Sequence, residues 1–434
     1  MGIEMKFNRI KEFIIKYLNE YIIEGILSVL ILVLLIIYFV CRDSQNISSI
    51  IDFTIFFGVA IAFISKFITG IFSSWLRKKI EDQVKLDTNY NRIIKQYPCC
   101  SNMLSYTNTE SGLFKMGKKR TSCKLVTENT NEHTYRFPVT LECRGPKLEF
   151  IIQDSNSQYV LPDSIVSKYD ELIAAHNSSD VYNQLNIRLD DYELIESKVK
   201  FMTSRTTYFD SLVTNRAMDF KWNNGLSVRD LYAYGPFLPE LKNSLLSNHL
   251  GFNGFIESVD GDIIFILRSN NVSIGKNTLG TSIGASLKTR YALDCNQKFT
   301  TEGLEAGIKA EIKDELCIQE GDYAFTLYHN IISVYRDIVE GGKPQLLFYV
   351  KVNRSSREIQ QAFSKEIKGK RAKWDFQKRL KQDGNKLVFV AKGDLRRIYI
   401  APDMIIIGDK CYPTMPSVGA SLAMFINYLD KVGE

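Results

Sequence analysis

The sequence predicts a chain of two parts, an N-terminal two-helix transmembrane hairpin followed by a cytoplasmic α+β region. Three observations predict it: two long apolar stretches within the first 72 residues, short alternating strand patterns in mid-chain, and an amphipathic acidic helix near residue 300. At 434 residues the chain exceeds the length of one ordinary domain. Its formal net charge of +6 is modest for that length, which excludes a polycation that coats nucleic acid, and no nucleic acid polymer is expected as a partner. The 8 cysteines form no CxxC pair and the 4 histidines stand far apart, so a zinc site is excluded and a reduced, cytoplasmic compartment is expected for the region after the spans.

Residues 1–21 place Ile10, Phe13, Ile14 and Tyr17 at helical spacing opposite mixed charges, as an interfacial amphipathic helix would. Residues 22–41 and 52–72 are each long and apolar enough to cross a bilayer as a helix. Lys6, Arg9, Lys11 and Lys16 precede the first span and Arg77, Lys78, Lys79 and Lys85 follow the second, whereas Arg42 is the single base between them. The positive-inside bias puts both termini in the cytoplasm of a multi-pass protein. Gly58 and Gly70 allow close helix approach within the second span, and Lys66 either faces a protein partner or snorkels from a plain anchor, so these three are candidates for assembly of the hairpins.

Residues 90–249 read as a strand-rich cytoplasmic region that packs on the next domain. The runs CKLVTE, RFPVTLEC, KLEFIIQD and SQYVLP alternate between turn residues, and helical stretches are expected over 167–175 and 180–187. From Arg205 to Pro236 the chain is dense in aromatics, Arg and Asp. Arg205, Tyr208, Asn215 and Arg216 there suit either a nucleotide-facing surface or a partly buried layer over the last domain.

Residues 250–434 form the last predicted domain. GFNGFIESVDGDIIFILR reads as two strands around the turn at Asp260 and Gly261. A loop with Lys276 leads to LGTSIGASLKTRYAL, whose glycines permit close backbone approach. Thr301 then caps a helix from Glu302 to Leu316 with Ile308, Ile312 and Leu316 as its buried stripe. Glu311 and Glu315 share a side, with Asp314 further round. Carboxylates so grouped either bind Mg²⁺ or Mn²⁺ through hard oxygen ligands or stand solvated on an exposed face.

Strand, glycine loop, acidic helix and strand in this order resemble the Nudix family. Its box runs G, five residues, E, seven residues, then REUxEExGU with U a bulky aliphatic. Glu302 stands at the first Glu, and AEIKDELCI from Ala310 to Ile318 covers the rest, with Glu311, Ile312, Asp314, Glu315 and Ile318 matching in kind. Asn296, Ala310 and Cys317 occupy the positions of Gly, Arg and Gly. The family's arginine helps orient its catalytic glutamates, which Ala310 cannot do, so the departure favours binding over hydrolysis.

The resemblance implies that the cytoplasmic region ends in a Nudix-like α/β/α sandwich, with VGASLAMFINYL as its second helix. It implies Glu311, Asp314 and Glu315 as ligands of Mg²⁺, Glu302 as a supporting acid, and Glu311 and Glu315 as catalytic residues if the domain is active. Arg268, Lys276, Lys288 and Arg290 lie near the expected cleft as nucleotide-binding candidates. With two spans ahead of it, the domain resembles the two-span Nudix effectors of cyclic-oligonucleotide-based antiphage signalling systems (CBASS). That architecture implies a homo-oligomeric effector in the bacterial inner membrane. It would sense a cyclic di- or trinucleotide, and its hairpins would disrupt the lipid bilayer and cause abortive infection. The alternative is a membrane-tethered Nudix hydrolase of a nucleoside diphosphate compound. A basic stretch, KEIKGKRAKWDFQKRLK from Lys365 to Lys381, reads as a further anion surface or as a solvated basic helix near an anionic leaflet.

Overall fold

The computed structural model describes Gly58 and residues 86–108, 134–176, 183–222, 225–268, 275–372 and 384–433. In chain order the strands are β1 Met103–Thr107, β2 Thr134–Arg144, β3 Glu149–Gln158, β4 Leu185–Ile195, β5 Lys198–Thr207, β6 Gly251–Glu257, β7 Asp262–Arg268, β8 Leu279–Gly280, β9 Ile283–Ser286, β10 Ile331–Asp337, β11 Lys343–Lys351, β12 Gly384–Ala391, β13 Tyr399–Ile400, β14 Met404–Ile407 and β15 Lys410–Pro413. Three long helices are α1 Thr301–Leu316, α2 Ser356–Ala372 and α3 Pro416–Val432. Shorter helices are named by their residues.

A nine-stranded mixed sheet runs β1-β2-β10-β11-β6-β7-β12, with β8 on β7 and β9 on β6. Only β11 and β6 pair in parallel within it. The β6–β7 hairpin turns at Asp260 and Gly261 as the sequence predicts, and Gly261 takes the positive φ of 81° that such a turn asks for. Side chains alternate across β6. Phe252 and Ile256 join the core that contains Leu304, Ile308, Ile312 and Leu316 of α1 and Ile359 and Phe363 of α2. Phe255 points the other way into the core built by α3, where its ring stacks on Phe425 at 4.6 Å. The sheet is therefore covered by helices on both faces, and the four apolar residues of the α1 stripe, each fully buried, contribute about 1.5–3 kcal/mol apiece.

The smaller sheet β3-β5-β4 enters the same core as α1 through Phe150, Ile187, Leu189, Val199 and Phe201. A third sheet, β13-β14-β15, lies beside α3 in the other core. Strands β1 and β2, from before residue 250, belong to the main sheet, so hydrogen bonding runs continuously across that position in sequence.

Several expectations are corrected. The chain was expected to be a membrane hairpin followed by a cytoplasmic region, multi-pass in the inner membrane. The described architecture is instead one of mixed sheets and helices, and no helix among the described residues is long and apolar enough to cross a membrane. The stretches 1–21, 22–41 and 52–72, with Lys66 and Gly70, lie outside the described residues, except Gly58, which has nothing among the described residues within 4 Å of where a Cβ would stand. The helix expected over 180–187 gives way to β4 from Leu185, because Ile187 and Leu189 alternate with polar residues at period two and β4 pairs along β5. The cap of the acidic helix is Thr300 rather than Thr301: its side chain accepts the Gly303 N–H at 3.2 Å.

Candidate functional site

The acidic helix α1 has a second face besides its apolar stripe. Gly303, Gly307 and Glu311 follow one another at four-residue spacing, so they stand in a row along the helix. A Cβ on Gly303 would lie 1.9 Å from the Ala292 carbonyl oxygen, and one on Gly307 would lie 2.3 Å from Leu287 Cδ1. The two glycines thus let the segment from Leu287 to Ala292, which includes the short helix Thr289–Ala292, lie directly on α1. One turn further along the same row stands Glu311.

That approach brings Lys288 to the acid. Its Nζ lies 2.5 Å from Glu311 Oε1. Glu311 is only 3% exposed, and burial pushes its carboxyl above the usual range, with the Lys288 ammonium acting in the opposite sense. Lys288 is itself anchored, its backbone forming a bridge to Asn186. Tyr291, three residues on, donates its hydroxyl to Asp314 Oδ2 at 2.7 Å. Burial, and then the Asp314 contact, raise the Tyr291 hydroxyl to about 12, so it remains a donor at neutral pH. Arg290 stacks on the Tyr291 ring at 4.4 Å with Nη2 4.0 Å from the same Asp314 oxygen. Glu315 Oε2 accepts the Gly284 N–H of β9 at 3.3 Å.

Beyond Gly284 lies Arg268, at the end of β7. Hypothetical Cβ atoms on Gly275, Gly280 and Gly284 would stand 3.5, 3.5 and 3.7 Å from its side chain, so the arginine lies along a trough of three glycines. Its Nε is buried and has no hydrogen-bond partner among the described residues. Gly284 pairs with Asn253, which opens a polar chain through the sheet. Asn253 Nδ2 donates to the Tyr335 hydroxyl at 2.5 Å, and that hydroxyl lies 3.1 Å from Ser421 Oγ on α3. Thr281 Oγ1 lies 3.2 Å from Asn253 Oδ1. Burial holds the Tyr335 hydroxyl well above its ordinary range, so it too stays protonated.

The structure therefore brings together Arg268, Lys288, Arg290, Glu311, Asp314 and Glu315 around one end of α1. Lys276 lies in the loop between β7 and β8. Glu302 stands apart: it is exposed in the first turn, about 13 Å along the axis from Glu311, and accepts the Thr301 hydroxyl at 3.2 Å. Hydrogen bonds from its own backbone and from Thr300 lower its carboxyl, so Glu302 serves the helix N-terminus.

Of the mid-chain candidates, Arg205 is buried on Asp154, Asn215 donates to the Glu340 carbonyl at 2.8 Å, and Arg216 stacks on Tyr208 at 5.3 Å. These are contacts of a buried layer. Arg396 and Arg397, after the basic stretch, pair with Asp430 and Asp394, while residues 373–381 of that stretch lie outside the described residues. Sequence reading missed Tyr291, Asn253, Thr281 and Tyr335. For Tyr291 a signal existed, since KTRY sets two cations and a phenol within four residues.

The arrangement does not fit a divalent cation. Among the described residues no group of three or more His, Cys, Asp or Glu could hold a metal ion. Glu311 is engaged by an ammonium, Asp314 by a phenol and Glu315 by a backbone N–H. Each of the three carboxylates thus already has a partner within this chain.

Compared with known proteins, the chain matches no family model and no curated protein. Among solved structures, the crystal structure of DR0079 from Deinococcus radiodurans is similar over 25% of this chain and 57% of its own, at 14% identity and a TM-score of 0.18. The chain thus spans a little over half the length of that protein, and a likeness so slight carries no argument.

Proposed function

We propose that the region around α1 is a sensor of a phosphate-bearing nucleotide, and that it binds this ligand without hydrolysing it. One observation carries the reading: Arg268 lies in a trough of three glycines with its Nε unpartnered, at the mouth of the polar chain from Asn253 to Ser421. A guanidinium grips phosphate oxygens bidentately, and the three glycines leave room for this one to lie along the backbone. The resemblance to the Nudix effectors narrows the ligand to a cyclic di- or trinucleotide, and makes the chain an effector of a bacterial antiphage system that assembles when its messenger binds.

Hydrolysis of a nucleoside diphosphate is the weaker reading, because the acids of α1 are engaged one by one. The test is thermal stabilisation of the full chain by a panel of cyclic di- and trinucleotides, since a ligand that binds only the folded state raises its melting temperature. A concentration-dependent rise with one of them, absent in Arg268→Ala, is expected. No rise with any member, or a rise unchanged in Arg268→Ala, contradicts the reading.

A further inference from the structure

The acids that would hold a metal in this fold are answered instead by one short piece of this chain. Lys288 meets Glu311, while Tyr291 and Arg290 meet Asp314. A carboxylate as buried as Glu311 needs a compensating charge, because an uncompensated ion in the interior is strongly destabilising. The protein supplies that charge covalently. The glycine row on α1 sets the segment close enough for Lys288 to reach, and the bridge of its backbone to Asn186 holds it there.

We infer that Lys288 takes the place of a divalent cation, so that this site meets its ligand's phosphates directly through arginine rather than through a metal. An ammonium 2.5 Å from Glu311 Oε1 and a Mg²⁺ on the same oxygen exclude each other, by space and by like charge. With Glu311 neutralised by Lys288 and Arg290 shared with Asp314, the cation of this cluster that remains toward a ligand is Arg268. A single guanidinium matches one phosphodiester, which carries a single negative charge. A di- or triphosphate concentrates charge on adjacent groups and is ordinarily bound together with Mg²⁺. The site thus selects phosphodiesters, as in a cyclic oligonucleotide, over nucleoside di- and triphosphates. This ligand class rests on the sensor reading above, whereas the replacement of the metal by Lys288 does not.

The experiment is a Mn²⁺ titration of the full chain with no nucleotide present, monitored by the loss of the free-ion signal in electron paramagnetic resonance. The wild-type chain is expected to take up no Mn²⁺ that depends on Glu311. The Lys288→Met variant, which keeps an unbranched side chain one atom shorter and removes its charge, is expected to gain a saturable site that disappears again in Lys288→Met with Glu311→Gln. Lys288→Gln serves the same purpose where methionine prevents folding. Saturable uptake by the wild-type chain at micromolar Mn²⁺, lost in Glu311→Gln, overturns the inference, as does a folded Lys288 variant that stays blind to Mn²⁺. A parallel titration with a cyclic dinucleotide in EDTA separates the two proposals: failure to bind any nucleotide while the Mn²⁺ results hold removes the sensor reading alone.

Discussion

The Arg205 guanidinium donates to both carboxylate oxygens of Asp154, each at 2.6 Å, and so joins β5 to β3 from the inside. The pair also sets the acidic helix in place. Asp154 Oδ2 accepts the Phe299 N–H at 3.0 Å, and Arg205 Nη2 donates to the Gln297 carbonyl at 3.1 Å, both just ahead of the helix cap Thr300. Burial alone would raise the Asp154 carboxyl, but Arg205, the Phe299 N–H and Thr203 together hold it below the usual range.

Removing one partner leaves the other buried and uncompensated. Arg205→Met or Asp154→Ala is expected to cost about 3–5 kcal/mol in denaturant unfolding. Because the pair anchors the entry to α1, amide exchange at Thr301 to Leu304 should rise in either variant. Unchanged stability would mean that the pair is dispensable.

Gly303→Ala should force the segment Leu287–Ala292 off α1, since the new methyl meets a backbone carbonyl that cannot rotate away. We expect a loss of about 1–3 kcal/mol. Gly307→Ala meets only the end of the Leu287 side chain and should cost less. Equal costs for the two, read by thermal unfolding, would contradict so close an approach of the segment to α1.

Asp337 supplies a pH dependence. It is fully buried, accepts the Val339 N–H at 2.9 Å, and is raised to about 7, chiefly by burial and then by Glu340, against the pull of Lys343. A carboxyl raised in the folded state stabilises fully below its unfolded value near 4, and that contribution is lost as pH rises through about 7. His249 acts oppositely: burial, Lys343 and Arg216 lower it, so stability is lost as pH falls through the unfolded histidine value near 6.5. The difference in melting temperature between Asp337→Asn and the parent chain should therefore grow in favour of the variant from pH 5 to pH 8. A flat difference would contradict a buried, titrating Asp337.

The helix that carries the site was legible in the sequence. Ile308, Ile312 and Leu316 repeat at helical spacing, and the apolar core took them up as that spacing demands. The glycine row was present in the same letters, but its meaning depends on which segment lies against it. Lys288 and Glu311 are 23 positions apart, and neither periodicity nor local composition couples residues across a loop and a short helix. The same limit applies to Arg205 and Asp154, 51 residues apart, and to β2, whose partner β10 lies nearly two hundred residues away. At 180–187 local helical character was outweighed by the long register of β4 along β5.

Arg268 offers the most direct prediction about recognition. Losing a charged hydrogen bond to phosphate should weaken binding by about 10- to 100-fold. Arg290→Ala should weaken it less, because that side chain is already half in solvent and shared with Tyr291 and Asp314. An Arg290→Ala loss larger than that of Arg268→Ala, measured by calorimetry, would move the phosphate contact to the outer edge of the site.

The region around α1 is proposed to bind a nucleotide and leave it whole. Calorimetric titration of the full chain with cyclic di- and trinucleotides, in Mg²⁺ and again in EDTA, with chromatography of the recovered ligand, tests this most directly. Saturable binding of one ligand with equal affinity in both buffers, and its full recovery intact, is the predicted result. Binding that requires Mg²⁺ and returns cleaved ligand would contradict it and make the acids of α1 a working hydrolytic centre.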